Sequence, residues 1–157
     1  MYESFVFEDK DYLVHYLLKR LDNPSIITID KTLYFLYALY GAFVNSKKNS
    51  PLKELFKAHF EADKYGPIEI DVHKKMIDGY FDNKIEPLFI ERYITNKSEI
   101  NGLRNLLDDI VLQVNGMSDF ALVNRTHQDN CWITCYMNDS INKKMNNLEI
   151  IQSYKRV

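Results

Sequence analysis

The sequence predicts a mainly α-helical fold, organised as a single compact multi-helix domain over residues 1–157. Two observations lead to this prediction. Apolar residues recur at spacings of three and four along most of the chain, which is the period of one helix face. Residues that start or end helices, such as Ser118 and Gly116, stand at the borders of these runs. The length of 157 residues suits one domain and allows about two thirds of the unfolded surface to be buried.

The first third of the chain is predicted to form two helices. Asp9 and Asp11 precede an apolar stripe that ends at Asn23-Pro24. A short apolar link follows, and Thr28 or Asp30 is expected to cap the second helix. Aromatic residues are frequent on this helix, so we expect it to lie at the centre of the fold; its apolar positions are Leu33, Leu36, Tyr37, Tyr40, Phe43 and Val44.

A third helix is predicted to end at the turn Tyr65-Gly66-Pro67. Ser50-Pro51 places a capping residue before a proline at the first helical position. The apolar stripe that follows has helical spacing and consists of Leu52, Leu55, Phe56, His59 and Phe60. Glycine tolerates the left-handed conformation that closes a helix, and proline cannot continue one. We therefore expect the chain to turn sharply at Gly66.

The second half of the chain is predicted to be helical apart from one weak segment. Residues 81–95 suit an interrupted helix, an irregular segment or a short strand. The clearest helix is expected to begin at Ser98 and to stop at Gly116. Four shorter helices complete the prediction: Asp71 to Gly79, Asp119 to about Thr126, one that starts at Asp129 or Asn130, and Asn147 to Tyr154.

Charge and hydropathy exclude several classes of protein. The net charge is −2 and the charged residues are interleaved, whereas a nucleic-acid surface normally shows clustered basic residues. No apolar run approaches the roughly 20 residues of a membrane span. The start Met1-Tyr2-Glu3-Ser4 lacks the features of a secretion signal, so we expect a cytoplasmic protein without a membrane partner.

Residues with possible chemistry cluster late in the chain. His127, Cys131 and Cys135 are spaced by four, so they would share one helix face and offer three ligands to zinc. A fourth ligand is missing, and a buried thiol pair beside a loop histidine is the simpler interpretation. A nucleophilic Cys131/His127 pair is the other alternative, although a cysteine followed by Trp132 in an apolar stripe more often marks packing. We therefore predict no catalytic residue, no metal and no cofactor.

Three stretches of the chain resemble the Panacea domain, also called the SocA-like domain, of bacterial antitoxins. They are Lys31-Thr32-Leu33-Tyr34, then Ala62-Asp63-Lys64-Tyr65-Gly66-Pro67-Ile68, and finally Leu122-Val123-Asn124-Arg125-Thr126-His127 followed by Trp132. Their order and spacing agree with the family over most of the chain. Asp63 is a departure, because it stands where the family usually has tryptophan.

The resemblance implies a helical domain that binds a protein. Antitoxins of this family neutralise a toxin by direct contact, and one branch presents its toxin to a protease; the domain also occurs in prophages and mobile elements. The resemblance carries over Ala62, Tyr65, Gly66, Pro67, Thr126, His127 and Trp132 as surface or scaffold positions. If the second and third stretches meet in space, a polar and aromatic surface results. The predicted partner-binding residues are Asp63, Lys64, Tyr65, Arg125 and His127, and the predicted scaffold residues are Ala62, Gly66, Pro67, Thr126 and Trp132.

Alternative functions stay open at this point. A phage or mobile-element protein with a regulatory or defence role would use the same surface for a different protein partner. In a DNA-binding regulator the first two helices would form a helix-turn-helix. The second helix, however, shows few of the exposed Arg, Asn and Gln residues that contact base edges. An enzyme would need chemistry that no motif of the chain indicates. The favoured partner is a toxin encoded nearby.

Overall fold

The computed structural model describes residues 4–45, 52–82, 96–138 and 142–155. Within these residues the fold is mainly helical, as predicted, with two small two-stranded sheets. The helices are α1 (Asp11–Arg20), α2 (Ile26–Val44), α3 (Ile70–Ile77), α4 (Lys97–Asn115), α5 (Asp119–Thr126), α6 (Asn130–Met137) and α7 (Asn147–Ser153). The strands are β1 (Ser4–Phe7), β2 (Lys53–Phe56), β3 (Phe60–Asp63) and β4 (Gly66–Glu69). Within the described ranges, none of the helices combines the length and the apolarity that a membrane crossing requires.

Helix α2 is the centre of the fold, as its aromatic pattern predicted. It contacts α1, α3, α4, α5, α7, β2 and β4. Seven of its side chains are completely buried: Ile29, Thr32, Leu33, Tyr34, Leu36, Tyr37 and Ala38. Residues 28–38 are buried around the whole circumference of the helix, which is why apolar residues occur there on every side. Phe43, predicted among the apolar positions, is instead 80% exposed near the end of the helix.

The start of α2 differs from the prediction. Ser25 is the capping residue, and its Oγ accepts a hydrogen bond from the amide of Thr28 at 3.1 Å. The segment from Ser25 to Thr28, predicted as a link, is therefore the cap and first turn of the helix. Thr28 and Asp30 do not cap because their side chains are used elsewhere: Thr28 donates to Asp119, and Asp30 binds β4 and α3.

The other predicted helices, apart from the third, are present, with one corrected cap. Ser118 caps α5 as expected, accepting a hydrogen bond from the amide of Ala121. Helix α4 ends at Gly116 as expected, but Asn96 caps its start in place of Ser98, accepting from the amide of Glu99. Of the weak segment 81–95, residues from 83 onward lie outside the described residues.

The predicted third helix is wrong. The chain there forms β2, β3 and β4, while Ser50 and Pro51 lie outside the described residues. Strand β2 pairs in parallel with β1, and β3 pairs antiparallel with β4. Residues 143–145 extend the second sheet, because Ala62 donates to the carbonyl of Lys143 at 2.8 Å and Met145 donates to that of Phe60 at 2.9 Å. Partners distant in sequence thus supply the hydrogen bonds that an isolated helix would have made internally.

The sharp turn at Gly66 is confirmed, but it joins two strands. Asp63 pairs with Gly66 in the β3–β4 register, so the hairpin has Lys64 and Tyr65 at its tip. Gly66 has a φ of 101°, a conformation that side chains with a Cβ rarely adopt. The hairpin tip therefore depends on glycine at this position.

Candidate protein-binding surface

The second and third motif stretches meet at the hairpin tip. Nε2 of His127 lies 3.0 Å from the carbonyl oxygen of Lys64, and Nε1 of Trp132 donates to the carbonyl oxygen of Asp63 at 2.9 Å. A carbonyl oxygen only accepts, so Nε2 of His127 carries the proton in this contact. We use the name turn surface for the side chains of Asp63, Lys64, Tyr65 and His127. The expectation that these two parts of the chain lie together is thereby met for these four residues.

A stack of three rings supports the turn surface from below. The centre of the Trp132 ring lies 4.2 Å from the centre of the His127 ring and 4.8 Å from the centre of the Tyr136 ring. The ring planes are nearly parallel in both pairs. Nζ of Lys143 lies 5.4 Å from the centre of the Tyr136 ring. Trp132 itself is only 7% exposed, so it anchors the hairpin tip and does not form part of the accessible surface.

Gly66 is wedged between α5 and α2. A Cβ at this position would collide with Oγ1 of Thr126 and would lie 3.0 Å from Cε of Lys31. Thr126 is completely buried, and its Oγ1 donates to the carbonyl of Val123. The neighbouring Pro67 accepts a hydrogen bond from Nζ of Lys31 at 3.1 Å. Gly66, Pro67 and Thr126 thus lie in the scaffold, and so does Ala62, which is 3% exposed.

The hairpin tip exposes an aromatic residue beside charged ones. Tyr65 is 51% exposed, and Nζ of Lys64 lies 5.5 Å from the centre of its ring. Asp63 is also exposed. The carboxylate of Asp63 therefore faces the solvent beside the aromatic side chain.

Arg125 makes contacts within the protein that the sequence did not predict. Its guanidinium pairs with Oδ1 of Asp129 at 2.9 Å and lies 5.7 Å from the centre of the Tyr154 ring. The side chain is 43% exposed. Because its charge already has an internal partner, we do not include Arg125 in the turn surface.

Asp129 is a structural hub that the sequence analysis missed. Its Oδ2 accepts hydrogen bonds from the hydroxyls of Tyr34 at 2.7 Å and Tyr154 at 2.6 Å, which joins α2 and α7 to the start of α6. Burial raises the pKa of both tyrosines, so they remain protonated donors. A side chain at a capping position was expected to bind the first amides of α6, but Asp129 makes no such bond because its oxygens are used by Tyr34, Tyr154 and Arg125.

A buried layer of charged groups lies beneath β4. Asp30 is 2% exposed; its carboxylate accepts from Nδ1 of His73 at 2.6 Å and from the amide of Glu69 at 3.2 Å. Burial raises the pKa of Asp30, while the hydrogen bond to Asp30 raises the pKa of His73. Glu69 is completely buried, caps α3 through the amide of Val72, and pairs with Lys10 at 2.9 Å. Such positions are not recognisable from the sequence, where charged residues normally indicate a solvated face.

The three residues considered for zinc each have other neighbours. His127 is held by Lys64 and Trp132, Sγ of Cys131 lies 3.3 Å from the hydroxyl of Tyr34, and Sγ of Cys135 donates to the carbonyl of Lys143 at 3.3 Å. Burial raises the pKa of Cys135, which makes its thiol less reactive.

A different group of possible ligands does converge elsewhere on the molecule. In the described part of the chain, ligand atoms of His59, Glu69 and Asp71 all lie within 4.8 Å of one another. The ammonium of Lys10 lies 2.9 Å from Glu69 and 2.6 Å from Asp71. This lysine supplies the positive charge that the two carboxylates require.

Comparisons of the chain with protein families, curated proteins and solved structures gave no match.

Proposed function

We propose that this protein is a non-enzymatic protein-binding domain of the antitoxin type, which neutralises a partner protein through the turn surface. The observation that carries the proposal is the hairpin tip, where His127 and Trp132 hold the backbone of residues 63–64 while Tyr65 and Lys64 face the solvent. Tyr65, His127 and Trp132 are among the residues on which the resemblance to Panacea antitoxins rests.

The geometry favours binding because the tip is held in place before a partner arrives. Two side-chain hydrogen bonds and a three-ring stack fix the backbone, so little conformational entropy is lost on association. Tyrosine is common among the residues that dominate interface energies, since its ring buries a large area while its hydroxyl remains directional. The mixed charges of Asp63 and Lys64 provide the polar rim around such an anchor.

The proposal is tested by capture of a partner from the cells that carry the gene, with the tagged chain as bait. The test variant is Tyr65→Ala combined with Lys64→Glu. The matched control is Tyr80→Ala, because Tyr80 is 58% exposed and also has a lysine, Lys75, over its ring at 4.7 Å. We expect a stoichiometric protein partner that the wild type and Tyr80→Ala retain and the test variant loses, by at least tenfold.

The antitoxin role has a separate readout. We expect the captured protein to inhibit growth when expressed alone and to be harmless when co-expressed with the wild-type chain. A partner lost through the test variant but harmless alone would support the alternative of a regulatory or defence-related protein from a phage or mobile element. A partner that the test variant binds as tightly as the wild type does would refute the turn surface as the binding site.

A further inference from the structure

Lys31 is the most buried lysine of the described residues and lies on the central helix α2. It is 1% exposed, and burial lowers the pKa of its ammonium to about 8. Within the described part of the chain its ammonium donates one hydrogen bond, to the carbonyl oxygen of Pro67 at 3.1 Å. The carboxylates of Asp30 and Asp63 attract it from a greater distance.

Global stability does not explain a lysine at this position. An ammonium group buried without a directly paired carboxylate loses hydration that one hydrogen bond only partly replaces. The adjacent Asp30 does not compensate this loss by a close contact, because its carboxylate binds His73 and the amide of Glu69. A methionine of similar length would fill the same space without that cost.

What Lys31 contacts is the backbone of the hairpin. Pro67 has no amide hydrogen, so the carbonyl is the polar backbone group through which this residue can be held. Cε of Lys31 also borders Gly66, and the buried Thr126 lies against the same glycine. The tip is therefore held from α2 by Lys31 and from α5 by Thr126.

We infer that Lys31 is the positioning residue of the turn surface: through the carbonyl of Pro67, its ammonium holds the hairpin tip in the orientation that presents Tyr65. The inference rests on the proposed function, since it explains how the proposed surface is kept in place. A buried charge whose main effect is to specify one local arrangement, at a cost in stability, is the physical principle involved.

The test compares Lys31→Met with the matched control Thr32→Val. Thr32 is completely buried on the same helix, but its hydroxyl donates to the carbonyl of Thr28 within α2 and not to the hairpin. The first readout is amide hydrogen exchange at Gly66 and Ile68, which pair with Asp63 and Glu61 in the hairpin register. The second is the fluorescence of Trp132, the single tryptophan of the chain, whose indole binds the carbonyl of Asp63.

We expect Lys31→Met to accelerate amide exchange at Gly66 and Ile68 by at least tenfold relative to the wild type. The exchange rates of core amides in α2 and α4 should stay within twofold of the wild type. The emission of Trp132 should shift to longer wavelength. Thr32→Val should leave the hairpin exchange within twofold. Equal hairpin exchange in Lys31→Met and Thr32→Val would overturn the inference, and so would a uniform acceleration over the whole chain. Failure to fold by both Lys31→Met and Lys31→Leu would also overturn it, because the ammonium would then support the entire fold.

A second arm links the result to binding. We expect Lys31→Met to retain at least tenfold less of the partner captured by the wild type. Undiminished capture by Lys31→Met, with a mobile hairpin, would overturn the link between positioning and binding. If the variant Tyr65→Ala combined with Lys64→Glu captures the partner undiminished, the proposed binding site is wrong, while the exchange measurement still decides the role of Lys31.

Discussion

Gly66 shows how one residue controls the shape of the hairpin tip. Its φ of 101° and its close approach to Thr126 are two independent reasons why no side chain fits there. The first reason concerns the backbone and the second concerns packing, so their effects on stability should add. The same reasoning does not extend to Gly102, where a Cβ would meet no atom within 4 Å.

Replacing Gly66 by alanine is expected to lower the free energy of unfolding by about 2 to 4 kcal/mol, through backbone strain and the collision with Thr126. The control Gly102→Ala, inside α4, should raise it by about 0.5 to 1 kcal/mol, because alanine is the better helix former. Urea unfolding followed by circular dichroism measures both. Equal stabilities of the two variants would show that the close approach at Gly66 is not as described.

Asp129 provides a second prediction for a single residue. Asp129→Ala removes the acceptor of the buried Tyr34 hydroxyl and the partner of Arg125, so we expect a loss of about 2 to 4 kcal/mol in unfolding free energy. Asp109→Ala, at an exposed position of α4, should change it by less than about 0.5 kcal/mol. Thermal and urea unfolding of the two variants give the comparison. A loss of unfolding free energy no larger than that of Asp109→Ala would show that the hydrogen bonds of Asp129 contribute little to stability.

Helices α2 and α3 are joined by a pair of ionisable side chains. Asp30 of α2 is buried, and His73 of α3 is 24% exposed and contacts it at 2.6 Å. Lys31 and Asp63 are the other charged groups that act on His73, with opposite effects on its pKa. The hydrogen bond to Asp30 has the largest effect and raises the pKa of His73 in the folded protein.

The raised pKa of His73 has a definite consequence for stability. Protonated histidine is favoured in the folded state, so this contribution is complete below the unfolded pKa of about 6.5 and is lost as the pH rises through the folded value. We expect the wild type to lose stability, relative to His73→Gln, between about pH 6 and the folded pKa of His73. Glutamine keeps an N–H donor for Asp30 but does not titrate. Urea unfolding at several pH values measures the difference, and parallel pH profiles of the two proteins would contradict this prediction.

On the scale of the whole molecule, the fold is closed by pairings between distant parts of the chain. Strand β1 pairs with β2, and Phe7 lies opposite Phe56 in their register. Both side chains are completely buried in the same core as α2. Residues 143–145 similarly extend the sheet of β3 and β4 from the far end of the chain.

The core contribution of β1 can be tested with a pair of phenylalanines. Phe7→Ala should cost about 3 to 5 kcal/mol, a large share of the 5 to 15 kcal/mol typical of a domain. Phe120→Ala should cost less than about 0.5 kcal/mol, because Phe120 is 75% exposed. Circular dichroism with increasing urea measures both variants. A small effect at Phe7 would show that β1 adds little to the cooperative core.

A cap or stop residue at the border of an apolar period predicted several helices correctly, although the same signals around residues 50–66 led to a helix that does not form. Ser118 before α5 and Gly116 after α4 are examples, because capping depends on residues within one turn of the helix end. The stripe from Leu52 to Phe60 was assigned wrongly because short apolar runs fit a helix and two strands almost equally well. Strand β2 pairs with residues 4–7, and β3 pairs with residues 143–145 as well as with the nearby β4. The two distant partners lie outside any local window of sequence.

For the candidate site, the sequence predicted local structural features, and the tertiary structure determined what each residue contacts. Local chemistry alone indicates a turn at Gly66, a helix start near Asp129 and a central aromatic α2, since these depend on conformational preferences of neighbouring residues. Other features depend on contacts between residues that are tens of positions apart in sequence. These are the contact of Lys64 with His127, the burial of Lys31 and the hydrogen bonds from two tyrosines to Asp129. Hydrogen bonds and burial of this kind arise only when the chain has folded, because one residue's environment is then made by others that are remote in sequence.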